Sequence, residues 1–160
     1  MLSVTVICIG KLKEEFWRSA SQEYQKRLSR FCSLKIRELD EVRLSDNPSD
    51  SQIATGLKKE AELILKEIPK DAFTVALCIE GKQISSEELS KKIEEAGEIG
   101  KGKICFIIGS SFGLDDSVKA AANLKLSFSK MTFPHQLFRV LLLEQIYRAF
   151  SISNKMKYHK

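Results

Sequence analysis

His135 and Arg139 stand four residues apart at the start of a long apolar run, so on a helix they share one edge. A histidine titrates near neutrality and can take or give a proton. A guanidinium can fork onto a phosphate or a base oxygen. The plain alternative for His135 is a hydrogen-bonded structural role; Glu144 and Arg148, at the same spacing, read most simply as an ion pair. Just upstream, Ser127-Phe-Ser-Lys-Met-Thr-Phe-Pro134 interleaves apolar and hydroxyl residues without a clean period. Phe133 precedes proline and is biased to an extended backbone. An extended connection has free N–H and C=O groups that can read a purine edge, unless it is buried and pairs them internally. A third feature is Gly109-Ser-Ser-Phe-Gly113, directly after an apolar run, where glycines allow close backbone approach to a ligand or simply a tight turn. It matches neither a dinucleotide fingerprint nor a phosphate-binding loop. The C-terminus, Lys155-Met-Lys-Tyr-His-Lys160, sets Tyr158 and His159 among lysines, the make-up of an element that stacks on bases and contacts phosphates. The default for such an end is a frayed, solvated tail.

The charge distribution points to the same region. Residues 130–160 hold six Lys or Arg and one acid, so the remaining 129 residues are neutral and the whole formal charge of +5 lies in the C-terminal fifth. A basic segment of this kind suits a polyanionic partner. The 160 residues suffice for one domain with a substantial core, and 43% hydrophobic with 29% charged residues excludes disordered and fibrous classes. No apolar run approaches the ~18 residues of a membrane span. The opening Met1-Leu-Ser-Val-Thr-Val-Ile-Cys-Ile-Gly10 reads as a strand, not a signal peptide. The four cysteines lack C-x-x-C spacing and read as structural thiols of a reducing cytoplasm. With two histidines and no Cys/His cluster, no metal site is expected.

The elements that must position these residues alternate in type. Val4–Ile9 reads as a buried strand, 14–30 as an amphipathic helix, and Leu34–Leu39 as an edge strand with one wet face. Residues 40–50, with four acids, one Arg and Asn47-Pro48, read as a surface loop before a helix capped at Asp50 or Ser51 and stopped by Pro69. Phe73–Ile79 is an interior strand. Ser85 and Glu88 form a capping box for a helix ending near Ala96, with Gly97 as its terminator. Residues 103–108 form another buried strand, Asp115 or Asp116 caps a short helix, and 124–128 is the last strand. Pro134 opens the long helix to Phe150. The alternation predicts an α/β domain over 1–160 with a mostly parallel sheet and helices on both faces. Ligands of such sheets bind beyond the carboxyl ends of the strands, here Leu77–Gly81, Gly109–Gly113 and Phe128–Phe133. The long helix carries more than one apolar stripe, which predicts a second packing partner, most economically a two-fold mate.

The run Lys125-Leu-Ser-Phe-Ser-Lys-Met-Thr-Phe-Pro-His-Gln136, followed by Arg139-Val140, Glu144-Gln145, Tyr147-Arg-Ala-Phe150 and the closing Tyr158-His-Lys160, resembles the RlmH (YbeA-like) ribosomal RNA methyltransferases of the SPOUT superfamily. Ile9-Gly-Lys-Leu-Lys13, Glu80-Gly-Lys82 and Phe106-Ile-Ile-Gly109 extend the resemblance over essentially the whole chain. It implies a homodimer, a C-terminal trefoil knot, S-adenosylmethionine as cofactor, and N3-methylation of pseudouridine 1915 in 23S ribosomal RNA on the ribosome. It carries cofactor contacts onto Leu77, Gly109, Phe128, Ser129, Lys130, Met131, Thr132 and Phe133. Catalytic roles fall on His135 and Arg139, and RNA contacts on Arg139, Tyr158, His159 and Lys160, the tail serving the other protomer. The chain departs from the family's usual paired glycines at Gly109-Ser110. If that second position needs φ > 0, Ser110 is strained by ~1–2 kcal/mol. A non-catalytic RNA- or ribosome-binding module on the same fold, or a small-molecule nucleotide enzyme, are the competing readings.

Overall fold

The computed structural model describes residues 1–159; Lys160 lies outside the described residues. The chain runs β1 (Leu2–Ile9), α1 (Glu15–Leu28), β2 (Cys32–Leu39), α2 (Asp50–Glu67), β3 (Phe73–Gln83), α3 (Ser86–Ile99), β4 (Lys103–Ile108), α4 (Asp116–Ala121), β5 (Leu124–Ser127) and α5 (His135–Ser153). The five strands form one parallel sheet in the order β2-β1-β4-β3-β5. β2 lies at an edge, as its half-wet alternation predicts.

Side chains alternate across the strands, so each face has its own core. One face gathers Val4, Val6, Val75, Ile104 and Phe106 with Leu142, Leu143 and Ile146 of α5 and Leu89 and Ile93 of α3. The other packs Ile7, Ile9, Ala76 and Ile107 against Ala61 and Ile64 of α2 and Val118 of α4. α5 lies against both α1 and α3.

Several boundaries move for local reasons. The α2 cap is Ser49, which forms a capping box with Gln52, one residue before the expected position. The Ser85–Glu88 box is present. Gly97 does not end α3. The helix continues to Ile99 before Gly100, and a Cβ on Gly97 would come within 2.9 Å of the Leu2 side chain. Pro134 is the cap of α5 and not its first residue, and the helix runs three residues beyond Phe150. β3 extends past Ile79 to Gln83 because Gly81 permits an unusually close strand. A Cβ there would sit 2.6 Å from the Leu126 backbone, and the β3–β5 register jumps at this point.

Candidate active site

The three strand ends singled out in the sequence meet around one cavity of about 660 Å³, within the range of small-molecule and cofactor sites. Leu77, where β3 stops pairing with β4, and Gly109, just after β4, form its floor, and Phe128, Ser129, Met131, Thr132 and Phe133 its side. Lys130 is exposed and does not line it. The 127–133 connection is shaped from within: the Ser127 hydroxyl donates to the Ser129 carbonyl at 3.0 Å, and the Met131 N–H donates to the Ser129 hydroxyl at 3.0 Å. Phe128 packs edge-on against Phe138 at 4.8 Å, and Phe133 stacks over the same ring at 6.3 Å. These contacts anchor the loop to α5. Yet Met131 is 70% exposed and Phe133 39% exposed, an apolar rim of the kind that receives a ligand.

Gly109 is required by space. A Cβ on it would lie 2.3 Å from the Gly113 carbonyl oxygen, so any side chain would force the turn open. Gly113 takes the left-handed conformation, φ 90°. Ser110 does not: among the described residues, non-glycine positive φ occurs at Asp71, Lys101 and Lys155. The strain expected at Ser110 is therefore absent. Its buried side chain instead donates to Glu60 at 3.0 Å.

Cys78, Glu80 and Phe112, within the strand ends singled out in the sequence, also line the cavity, as does Lys119, which was not singled out. Glu80 and Lys119 form an ion pair, and Lys119 holds the Glu80 carboxyl below the usual range. The Glu80-Gly-Lys82 motif marked the vicinity; Lys119, on a short amphipathic helix, had no such signal.

His135 opens α5 at the mouth of the cavity. It faces the turn at Gly10 (φ 91°), where a Cβ would lie 3.8 Å from its Nε2 and 3.8 Å from the Glu41 carboxylate. Arg139, one turn on, does not share that edge. Its side chain is 4% exposed and turned to β1 and β2, donating to Glu38 at 2.5 Å and to the Gly10 carbonyl at 2.9 Å. The expected adjacency with His135 holds along the helix but not at the cavity.

Tyr158 and His159 also lie away from the cavity. The Tyr158 hydroxyl donates to Glu144 at 3.2 Å, its ring meets Tyr147 edge-on at 4.8 Å, and the Arg148 guanidinium covers it at 4.9 Å. Burial, then hydrogen bonding with Tyr24, pushes the Tyr158 phenol up to about 12, so it is neutral. His159 Nε2 lies 2.6 Å from Glu87. Glu144 is nine residues along α5 from His135, about 14 Å at the helical rise.

The parallel α/β sheet with helices on both faces is a fold shared with a solved methyltransferase. The structure resembles tRNA (m1G37) methyltransferase from Aquifex aeolicus with a TM-score of 0.56 at 12% identity, over 91% of this chain and 69% of that one. The profile of the family described as "Predicted SPOUT methyltransferase" matches residues 2–159. Fold and site thus define a SPOUT methyltransferase. At sequence level the chain is 51% identical to ribosomal RNA large subunit methyltransferase H of Clostridium botulinum (strain Alaska E43), over 99% of this chain and all of that protein. The corresponding Clostridium perfringens (strain SM101) protein is 48% identical over the same shares. The chain belongs to the ribosomal RNA large subunit methyltransferase H family, and it is a methyltransferase.

Proposed function

We propose that this chain is an S-adenosylmethionine-dependent enzyme that methylates N3 of pseudouridine 1915 in 23S ribosomal RNA on the ribosome. The observation that carries this reading is the convergence of Leu77, Gly109, Phe128, Ser129 and Met131–Phe133 on one cavity, in a chain about 50% identical to large subunit methyltransferases over 99% of its length. The cradle suits the cofactor. Gly109 lets the turn at the cavity floor close on Gly113, where a Cβ would collide, and the aromatic side suits an adenine face. When bound, S-adenosylmethionine supplies a methyl group already activated on a sulfonium.

The protein's task is then largely alignment of acceptor nitrogen, methyl and sulfur. Phe128 and Phe133, locked on Phe138, hold the cavity side, and Met131 and Phe133 give it a water-excluding rim. The acceptor imide must also lose its N3 proton. His135, at the mouth, is the residue we assign to receive it. Arg139 reaches the substrate only by leaving Glu38. In the present geometry it secures the Gly10 turn opposite His135; released from Glu38, it would support a developing negative oxygen on the acceptor.

The enzyme acts in this reading as a cytoplasmic homodimer of one domain, 1–160. Among the described residues no helix is long and apolar enough to cross a membrane. The apolar residues that α5 leaves half-buried, Leu137 and Leu141, suit a two-fold mate. Tyr158, which meets Glu144 about 14 Å along α5 from its own His135, and His159 beside it are better placed to hold RNA at the partner's cavity, with Lys160 and Lys130 as phosphate contacts. The 128–134 segment, returning from the sheet edge at β5 to set α5 between α1 and α3, is the part we assign to a trefoil knot. Calorimetric titration with S-adenosylhomocysteine tests the cofactor assignment. One site per chain is expected, and no heat of binding with the fold intact contradicts it.

A further inference from the structure

Behind the turn that carries Gly109 lies a carboxylate with no role in the reaction described above. Glu60 of α2 is 3% exposed. One of its oxygens accepts the Ser110 hydroxyl at 3.0 Å and the other accepts the Val42 N–H at 3.1 Å. Both donors are neutral. Burial raises the Glu60 pKa, and the two hydrogen bonds oppose that rise. A buried acid held only by neutral donors is a poor way to fill a core, because an apolar side chain of similar shape avoids the desolvation. Its position therefore calls for a reason other than packing.

Three segments meet at this side chain. α2 supplies the carboxylate, the acidic 40–48 connection supplies the Val42 N–H, and the cavity wall supplies Ser110. The 40–48 connection is not freely solvated, since a Cβ on Gly56 of α2 would meet Leu44 at 3.4 Å and Val42 at 3.6 Å. Ser110 is also the hinge of the turn. It bridges to Gly113, whose N–H donates to the Ser110 carbonyl at 2.9 Å, and Gly113 in turn crowds Gly109. The Ser110 side chain thus ties the 109–113 turn to Glu60 of α2.

We propose that Glu60 is a positioning residue for the methyl-donor pocket: through the Ser110 hydroxyl it fixes the Gly109–Gly113 turn in its cofactor-receiving shape, and through the Val42 N–H it locks the 40–48 segment to the same wall. This rests on the cofactor reading given above.

The test is calorimetry with S-adenosylhomocysteine and urea denaturation on the same set of proteins. Glu60→Leu removes both ties while keeping the volume filled. Affinity should fall about tenfold, the scale of one lost buried hydrogen-bonded tie, and the unfolding midpoint should fall as well, because the Ser110 hydroxyl and the Val42 N–H lose their acceptor. A purely structural Glu60 predicts that stability falls while the folded protein keeps wild-type affinity. Glu60→Gln keeps an acceptor for Val42 and an amide that can donate to the Ser110 oxygen, so affinity should return to within about threefold of wild type. Ser110→Ala should weaken binding about five- to tenfold alone and add nothing further in the Glu60→Leu background, because the two act as one unit. Should Glu60→Leu not fold, Ser110→Ala decides alone: a five- to tenfold loss of affinity supports the proposal, and wild-type affinity overturns it. Wild-type affinity in Glu60→Leu or Ser110→Ala, or independent effects of the two, overturns the proposal. A wild-type protein that binds no S-adenosylhomocysteine retires the cofactor reading itself, and this inference with it.

Discussion

Arg139 of α5 donates to Glu38 at the end of β2 at 2.5 Å, and its other terminal nitrogen donates to the carbonyl of Gly10 at 2.9 Å. One side chain thereby ties the long helix to two strand ends and fixes the turn facing His135. Arg139→Ala should destabilise the fold by ~2–3 kcal/mol. That is below the ~3–5 kcal/mol of a fully buried pair, because Glu38 keeps 36% of its side chain in water. Urea denaturation measures it. A loss under about 0.5 kcal/mol, the scale of a surface substitution, would mean that the pair is not the tie described.

The cysteines should separate by reactivity. Burial pushes the thiols of Cys8 and Cys32 up to about 11 and Cys105 up to about 12. A raised pKa means less nucleophilic thiolate at any pH below it. Cys78 is raised too, by burial, but it is only half-buried and lines the cavity. With iodoacetamide at pH 8, Cys78 should be alkylated first and the other three only on unfolding. S-adenosylhomocysteine should slow Cys78. Equal rates with and without ligand would place the ligand elsewhere.

Gly109→Ala puts a methyl group 2.3 Å from the Gly113 carbonyl oxygen. The turn must shift, and overpacking of this kind costs ~1–3 kcal/mol. Cofactor affinity should fall at least ~10-fold. Gly102→Ala is the control, since a Cβ there meets nothing within 4 Å. Its φ of 80° charges a strain of about 1–2 kcal/mol to stability, with affinity unchanged.

Truncation after Asn154 removes Tyr158 and His159, which in this structure touch Glu144, Tyr147, Arg148 and Glu87 but no cavity residue. Cofactor affinity should stay within about twofold, and stability should drop by ~1 kcal/mol, the scale of an aromatic edge contact. Methylation of ribosomal RNA should be lost. Unchanged methylation would remove the tail from the substrate site.

Much of the fold was legible because its signals are local. Apolar runs ending in glycine marked β1 and β4, the Ser85–Glu88 box marked α3, and Asp115 marked α4. What failed depended on long-range packing. Gly97 looks like a helix stop until Leu2 is seen against it, and the extension of β3 depends on β5 passing over Gly81. At the site, seven of the eight cofactor positions line the cavity because they sit at strand ends, where the topology puts any ligand. Arg139 was misplaced because helical spacing gives adjacency to His135 but not the strand that captures a side chain. Glu60 was invisible: one acid among many on α2 until the fold buries it under Ser110.

Methyl transfer to one nucleotide of ribosomal RNA is measured most directly by incorporation of labelled methyl from S-adenosylmethionine into ribosomes that lack the modification. The label should appear in 23S RNA at N3 of pseudouridine 1915, approach one methyl per ribosome, and vanish with the 155–160 truncation. A folded protein that binds S-adenosylhomocysteine yet leaves 23S RNA unlabelled, or labels it at another position, would contradict the account.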